Sequence, residues 1–314
     1  MKEADRRSSP TEANEGAIPP KNMIDPSKLS FVRLLKCFIS VGVFAATNLQ
    51  TWLGRLLRKI HPGECVILYY HSVTPDQRTR FAGQLDILLH SAEPIDVTKE
   101  VRLRPGVQYV GVTFDDGFEN LVQQALPELK KRNIPATVFV ISDALGKAFG
   151  PAGRTEKVMS LEQLRSLPAE LISIGSHTVT HPMLPLLSEG EARTELMQSR
   201  GALEGFLSRP VLTFSFPFGG FSPRLIELCR EAGYDRIFTT LPAFAFTDPG
   251  QFVVGRVRVD PTDWPLEFRL KLAGAYRWLP AAFALKRKIV SNRMLRLLFG
   301  RKGQADRATE PHLG

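Results

Sequence analysis

Seven short apolar runs, rich in β-branched and aromatic residues, recur along the middle of the chain. They are "CVILYY" (65–70), "YVGVTF" (109–114), "ATVFVI" (136–141), "LISIG" (171–175), "VLTFSF" (211–216), "RIFTTL" (236–241) and "FVVGRVRV" (252–259). Runs of this length and composition read as strands. Several are separated by stretches with helical character. "FENLVQQALPELKKRN" ends where "IPA" forbids continuation. "SLEQLRSL" opens with Ser160 and Gln163 in capping-box spacing, and "SEGEARTELMQSRGALEGFL" with Ser188 and Glu191. Strands that alternate with helices pair in parallel, which makes an α/β fold. Seven of them suit a closed or nearly closed barrel. The expected architecture is a distorted (β/α) barrel of about seven parallel strands with N-terminal and C-terminal helical extensions. A doubly wound sheet is the alternative.

The extensions differ from this body. Residues 1–28 carry five basic and five acidic side chains with little apolar content, and read as a disordered leader. Residues 29–60 follow helical spacing, and the eighteen residues from Cys37 to Gly54 carry no charge. That is the minimum for a membrane span, although Ser40, Thr47, Asn48, Gln50 and Thr51 dilute it. An amphipathic or spanning anchor and a helix packed on the domain both remain open. Residues 61–265 are the expected catalytic barrel. Residues 266–314 hold eleven Lys or Arg against three Asp or Glu, so the net charge of +9 belongs almost wholly to this tail. Apolar residues interleave with the basic ones at helical intervals through residue 299, the composition of a membrane-surface helix. A nucleic-acid partner is not expected, because the aromatics are spaced as a helix face and not as a stacking platform. The three cysteines, Cys37, Cys65 and Cys229, form no CxxC pair and suggest no disulfide framework.

Where polar residues fall matters more than how many there are. "VTFDDGFEN" sets Asp115 beside Asp116, and adjacent carboxylates raise each other's proton affinity. An Asp-Asp-Gly turn after a strand would be ordinary by itself. "GSHTVTHP" places His177 and His181 four residues apart, close enough in a helical turn or tight loop to share one ion. A lone His-x-x-x-His is common. His71, Asp115 and Asp116, His177 and His181, "FPFGG" (216–220) and "VDPTDW" (259–264) each follow the C-terminal end of an expected strand. In a parallel barrel those ends open on one face, where active sites are built. Two histidines and a carboxylate leave coordination positions for water and substrate, which is a catalytic arrangement of a metal and not a closed structural one.

"TFDDG", "SHTVTHP" and "FPFG" resemble the first three motifs of the polysaccharide deacetylases of carbohydrate esterase family four, the NodB-homology enzymes. The resemblance covers roughly residues 62 to 265. It implies a distorted (β/α) barrel that removes acetyl groups from sugars with a divalent metal, often zinc. Carried over, Asp115 is the general base, Asp116, His177 and His181 are the metal ligands, and the backbone N–H of Phe218 holds the oxyanion. The sequence departs from the pattern in three places. Ser215 stands where the family often has a base-orienting arginine, and Arg256 is the expected substitute. "DPTDW" resembles the fourth motif, so Asp260 and Asp263 are expected to support the site and Trp264 to line a sugar groove. No C-terminal histidine motif exists. The family includes circularly permuted members in which the equivalent strand comes first, and "VILYYHSV" looks like that strand, which makes His71 the general acid.

The expected function is metal-dependent removal of N-acetyl groups from an amino-sugar polysaccharide or its lipid-linked precursor, in an exopolysaccharide pathway. The partners expected are that N-acetylated glycan and a membrane surface met through residues 29–60 and 266–299. A membrane-associated protein follows, with its side open. Hydrolysis of a small non-sugar amide on the same barrel, or a non-catalytic glycan- or membrane-binding relict, are the competing readings.

Overall fold

The computed structural model describes residues 26–56, 62–151 and 155–285. The expected leader up to residue 25, residues 57–61 and the tail beyond residue 285 lie outside these. A long helix, α1 (Pro26–Leu56), precedes the barrel. Then follow β1 (Glu64–Tyr70), α2 (Arg78–Ser91), β2 (Glu93–Ile95), β3 (Gln108–Phe114), α3 (Leu126–Arg132), β4 (Ala136–Val140), β5 (Ala148–Phe149), β6 (Glu156–Lys157), α4 (Leu161–Ser166) and β7 (Ile172–Ser176). The order closes with α5 (Glu189–Leu207), β8 (Thr213–Ser215), α6 (Pro223–Glu231), β9 (Arg236–Phe238), β10 (Val253–Val254), β11 (Val257–Arg258) and α7 (Pro265–Leu272).

The main sheet runs β10-β9-β8-β7-β4-β3-β1-β11, with β2 added on β3, and its pairings are parallel. Its two edge strands are the two halves of one extended segment. β10 pairs with β9, and three residues after it β11 pairs with β1, so the sheet curls round to meet itself. This is the expected distorted barrel, with all seven sequence runs as staves. Gly255, at the break, packs so tightly that an added Cβ would stand 2.3 Å from the Leu241 carbonyl oxygen. Glycine is what lets the segment pass there.

Side chains alternate across the staves, as strand geometry requires. Val66, Leu68 and Tyr70 of β1 face the helices and join the larger core with Phe81, Leu85 and Leu88 of α2. Cys65 and Ile67 face inward, where Phe139 of β4, Phe238 of β9 and Val254 of β10 fill the barrel. The capping boxes form as expected, Ser160 with Gln163 and Ser188 with Glu191. Where "FENLVQQALPELKKRN" suggests one helix, a π-helical turn (Leu121–Ala125) leads into α3, with Pro127 at its start. Proline lacks the N–H that would continue a regular ladder there. α3 ends on Asn133 in the left-handed conformation before Pro135.

Candidate active site

Each cluster foreseen at a strand end emerges on one rim. Asp115 and Asp116 follow β3, His177 follows β7, "FPFGG" follows β8, and His71 follows β1. The Asp115 N–H donates to the Tyr70 carbonyl at 2.9 Å, which fixes the end of β3 against the residue preceding His71.

Asp115 is buried and held from below. Arg256 donates from Nη1 to Oδ1 at 2.7 Å and from Nη2 to Oδ2 at 2.8 Å, a two-point clamp. The same guanidinium reaches Ser215 Oγ at 2.6 Å and Thr113 Oγ1 at 3.0 Å. It is fully buried, resting against Tyr69 (4.7 Å) and Phe139 (5.1 Å) inside the barrel. Arg256 therefore comes from the β10–β11 break and meets the serine that stands where the family often carries arginine. Burial alone would push the Asp115 carboxyl up, but the charge of Arg256, then His177, and the Arg256 hydrogen bonds hold it at about 2.

Asp116 lies in the opposite situation. Burial first, then the charge of Asp115 and that of Glu156, push it up to about 8. Its Oδ1 has no hydrogen-bond partner among the described residues. That oxygen lies 3.5 Å from His177 Nε2 and 3.4 Å from His181 Nε2. His177 Nδ1 contacts the Ser215 carbonyl oxygen at 2.7 Å, and a carbonyl can only accept, so Nδ1 bears the proton and Nε2 offers its lone pair to Asp116. Burial lowers the imidazolium pKa of His177 to about 3 and of His181 to about 4, so both rings are neutral near pH 7. Two neutral imidazoles and a carboxyl that burial keeps protonated thus converge with no cationic group among them, and a divalent cation would take the place of that proton. The set Asp116, His177 and His181, with ligand atoms within 4.8 Å of one another, fits a divalent metal.

The loop that carries the two histidines is tight, not helical. Thr178 (φ 68°) and His181 (φ 61°) are left-handed, as are Asp116 (φ 69°) and Phe218 (φ 56°). Four of the seven such non-glycine residues described thus stand at this rim, which is where strain is tolerated when neighbours over-determine it. Glu195 of α5 supplies that restraint: its carboxylate accepts from Val179 N at 2.8 Å, Thr180 N at 3.0 Å and Thr180 Oγ1 at 2.7 Å. Phe218, two-thirds exposed, turns its ring edge toward His181 at 4.6 Å between centroids.

Comparison with known proteins bears on this geometry. The sequence profile of the family described as polysaccharide deacetylase matches residues 103–237. YxkH of Bacillus subtilis (strain 168), assigned by its name to the polysaccharide deacetylases, is 28% identical over 211 residues, 64% of this chain and 73% of that protein. The peptidoglycan-N-acetylmuramic acid deacetylase PdaC of the same strain is 30% identical over 135 residues, which are 42% of this chain but only 26% of PdaC. The structure of IcaB from Ammonifex degensii superposes with a TM-score of 0.58 at 29% identity, covering 69% of this chain and 98% of IcaB. Residues 103–237 carry a polysaccharide deacetylase domain.

Within this deacetylase domain the remaining expected residues divide. His71 lies within electrostatic reach of the base: burial lowers its pKa, the charge of Asp115 raises it, those of Arg258 and Arg256 lower it, and Asp260 raises it more weakly. Asp260 also accepts from Thr262 N and Oγ1 at 2.8 and 2.6 Å. Asp263 accepts from Lys271 Nζ at 2.6 Å and from the Asp260 N–H at 3.0 Å. Trp264 caps the start of α7 beneath the guanidinium of Arg33 (4.4 Å).

Sequence reading missed three features of the deacetylase site. Glu156, from the β5–β6 hairpin, accepts from Ser72 Oγ at 2.6 Å and Asn120 Nδ2 at 2.5 Å, and its charge acts on Asp116. Phe149 of the same hairpin packs its ring on His181 at 5.2 Å. Glu195 is the third. Asn120 closes the very stretch "VTFDDGFEN" and was the one available signal.

Proposed function

We propose that this deacetylase is a divalent-metal-dependent hydrolase that removes N-acetyl groups from an amino-sugar polysaccharide or its lipid-linked precursor. The observation that carries it is the adjacency of two unlike carboxylates: Asp115 clamped by a buried arginine, and Asp116 facing two imidazoles with an unpartnered oxygen. Asp116, His177 and His181 are the residues that would hold the metal, zinc being the expected ion. A carboxylate with a pKa of about 2 is a weak base, and a bound divalent cation supplies the Lewis acidity that makes a water acidic enough for it.

Asp115 takes the proton of the attacking water, and Arg256 keeps that carboxylate ionised and aimed. The Phe218 N–H, displayed by the turn after β8, donates to the developing oxyanion. His71, at the end of β1, gives its proton to the departing amine, which cannot leave as an anion. β1 comes first in the barrel and pairs with β11, the last stave, which supports reading it as the permuted strand. Trp264 offers an aromatic face to a pyranose ring, and Asp260 supports His71 electrostatically. The N-acetyl substrate class is supported by what PdaC is named for.

Acetate release from an N-acetylglucosamine oligomer, with and without added zinc, tests the reading. Asp115→Asn is expected to lower the rate by about 10²–10⁴, the usual range for a general base, and His71→Ala to lower it comparably. Full activity in His71→Ala would remove the acid assignment and leave deacetylation intact. Absence of acetate from metal-loaded wild type would reject the substrate class.

A further inference from the structure

α1 is built inside out. Its protein-facing stripe is Arg33, Lys36, Cys37, Ser40, Val43 and Thr47, at alternating steps of three and four residues or their neighbours, and most of these are polar. The stripe is tied down by hydrogen bonds. Arg33 donates from Nε to Glu267 Oε2 at 2.7 Å and from Nη2 to the Thr262 carbonyl at 2.9 Å. Trp278 Nε1 donates to Ser40 Oγ at 3.0 Å, and Arg277 Nη2 to Thr47 Oγ1 at 3.1 Å. The helix also carries eleven exposed large apolar side chains; Phe31, Leu34, Leu35, Phe38 and Trp52 lie opposite this stripe, with Phe38 78% exposed, and Phe44, 42% exposed, flanks it. A surface helix in water shows the reverse arrangement. Contiguous exposed hydrocarbon on this scale marks a contact with something other than water.

We propose that α1 lies flat in the interface of an anionic lipid bilayer, its outer face in the acyl boundary and the barrel docked on its inner stripe. Length and composition permit the window Phe31–Gln50 to cross a membrane, but the docking contacts do not. They run from Arg33 to Thr47, about 21 Å of helix at 1.5 Å per residue. Crossing would carry Glu267, Asp263, Lys271 and Arg277 alongside into a hydrocarbon core about 30 Å thick. The lipid is anionic because, beyond Arg33, which is paired with Glu267, α1 holds three basic residues (Lys28, Lys36, Arg55) and no acidic one. The same composition opposes a second copy as the cover, since a two-fold contact would set these like charges against each other.

Beside α1 a cavity of about 680 Å³ lies between the helix and the barrel rim, lined by Val32, Lys36, Tyr69, Arg258, Trp264 and Phe283 among others. Tyr69 stands two residues before His71. With α1 in the interface the rim opens at the lipid surface, so the glycan reaches Asp115 from a lipid-anchored or membrane-held form. That last step rests on the deacetylase reading; the docking of α1 does not.

The full-length protein is mixed with phosphatidylcholine vesicles with and without phosphatidylglycerol and floated on a density gradient. The protein is expected to float with the anionic vesicles, less so as salt rises, and Phe38→Gln/Phe44→Gln to weaken binding about tenfold or more. Fluorophores attached at Phe31→Cys, Phe44→Cys and Leu53→Cys are expected to report one shallow depth by lipid-borne quenchers. A depth greatest at position 44 and shallow at both ends would mean a span and would overturn the proposal. So would a wild type that stays with the soluble fraction as a dimer dissolved by Phe38→Gln/Phe44→Gln. Acetate release from a soluble oligomer is expected to be unchanged in that variant. Flotation by a wild type that releases no acetate would uphold the docking and reject only the deacetylase reading.

Discussion

The barrel mouth buries charge, and the outer face of α1 exposes hydrocarbon. Each reverses the usual distribution, but they differ in what completes them. At the mouth, Asp115 finds its compensation inside the chain, in Arg256, Ser215 and the barrel wall. α1 finds none for its apolar face among the described residues, and neither does Oδ1 of Asp116. A violation completed within the chain sets a property of the fold, here the ionisation and aim of one carboxylate. A violation left open asks for a partner, which on the readings proposed above is hydrocarbon for the helix and a cation for Asp116.

The strongest way to break this contrast is to remove the internal compensation. Arg256→Met leaves the Asp115 carboxylate buried without its partner, and breaking a buried ion pair from one side costs about 3–5 kcal/mol. Urea unfolding should show that loss. Asp115→Asn/Arg256→Met should recover much of it, because the uncompensated charge is gone, while acetate release stays absent. A loss no larger than the roughly 0.5 kcal/mol of a neutral surface change would mean that Arg256 does not complete Asp115.

Why Arg256 could be found from the sequence, and Glu156 could not, is a matter of period. Staves buried on both faces are continuous apolar runs of four to eight residues, and polar residues that interrupt them at one end stand out. Arg256 and Arg258 stand two apart in such a run and share a strand face, which marks basic side chains beside the acid pair; in the fold Arg256 is the buried one and Arg258 is exposed. Glu156 belongs to a strand of two residues, too short to carry any period. α2 escaped for another reason: Phe81, Gln84, Leu85 and Leu88 are its buried face, but its N-cap is Gln77, which makes no capping bond. The orientation of α1 was illegible in principle. Periodicity reveals that a helix has two faces; which of them meets the protein depends on Glu267, Trp278 and Arg277, more than two hundred residues away.

The open half of the contrast is tested by pH. In metal-free protein Asp116 has its pKa raised from the ordinary carboxylate range to about 8, so the folded state holds a proton that the unfolded state releases. Its contribution therefore falls as pH rises, up to pH 8. His177 and His181, with pKa values lowered to about 3 and 4, act in the opposite sense, but only below the ordinary histidine value of about 6.5. Between pH 6.5 and 8 only Asp116 among these three changes its protonation between the folded and unfolded states. Metal-free stability should decline there by up to about 1.4 kcal/mol per pH unit more in wild type than in Asp116→Asn. Zinc should remove the difference in slope by binding the ionised form. Equal slopes without metal would mean that the carboxylate is already satisfied, and the case for a cation there would fall.

The smallest effect is the sharpest discriminator. Glu156 adds to the proton affinity of Asp116 after burial and Asp115, and it is itself held by Ser72 and Asn120. Glu156→Gln keeps those contacts available and removes only the charge. The end of the Asp116 window should then move below pH 8, by less than Asp115→Asn moves it, with the fold's stability at pH 6 nearly unchanged. A shift in the other direction would mean that Glu156 acts by holding the β5–β6 hairpin against the loop of His71, and not through its field. The hairpin would then be the element to which the incompleteness of Asp116 is coupled, because Phe149, on its other strand, already rests on His181.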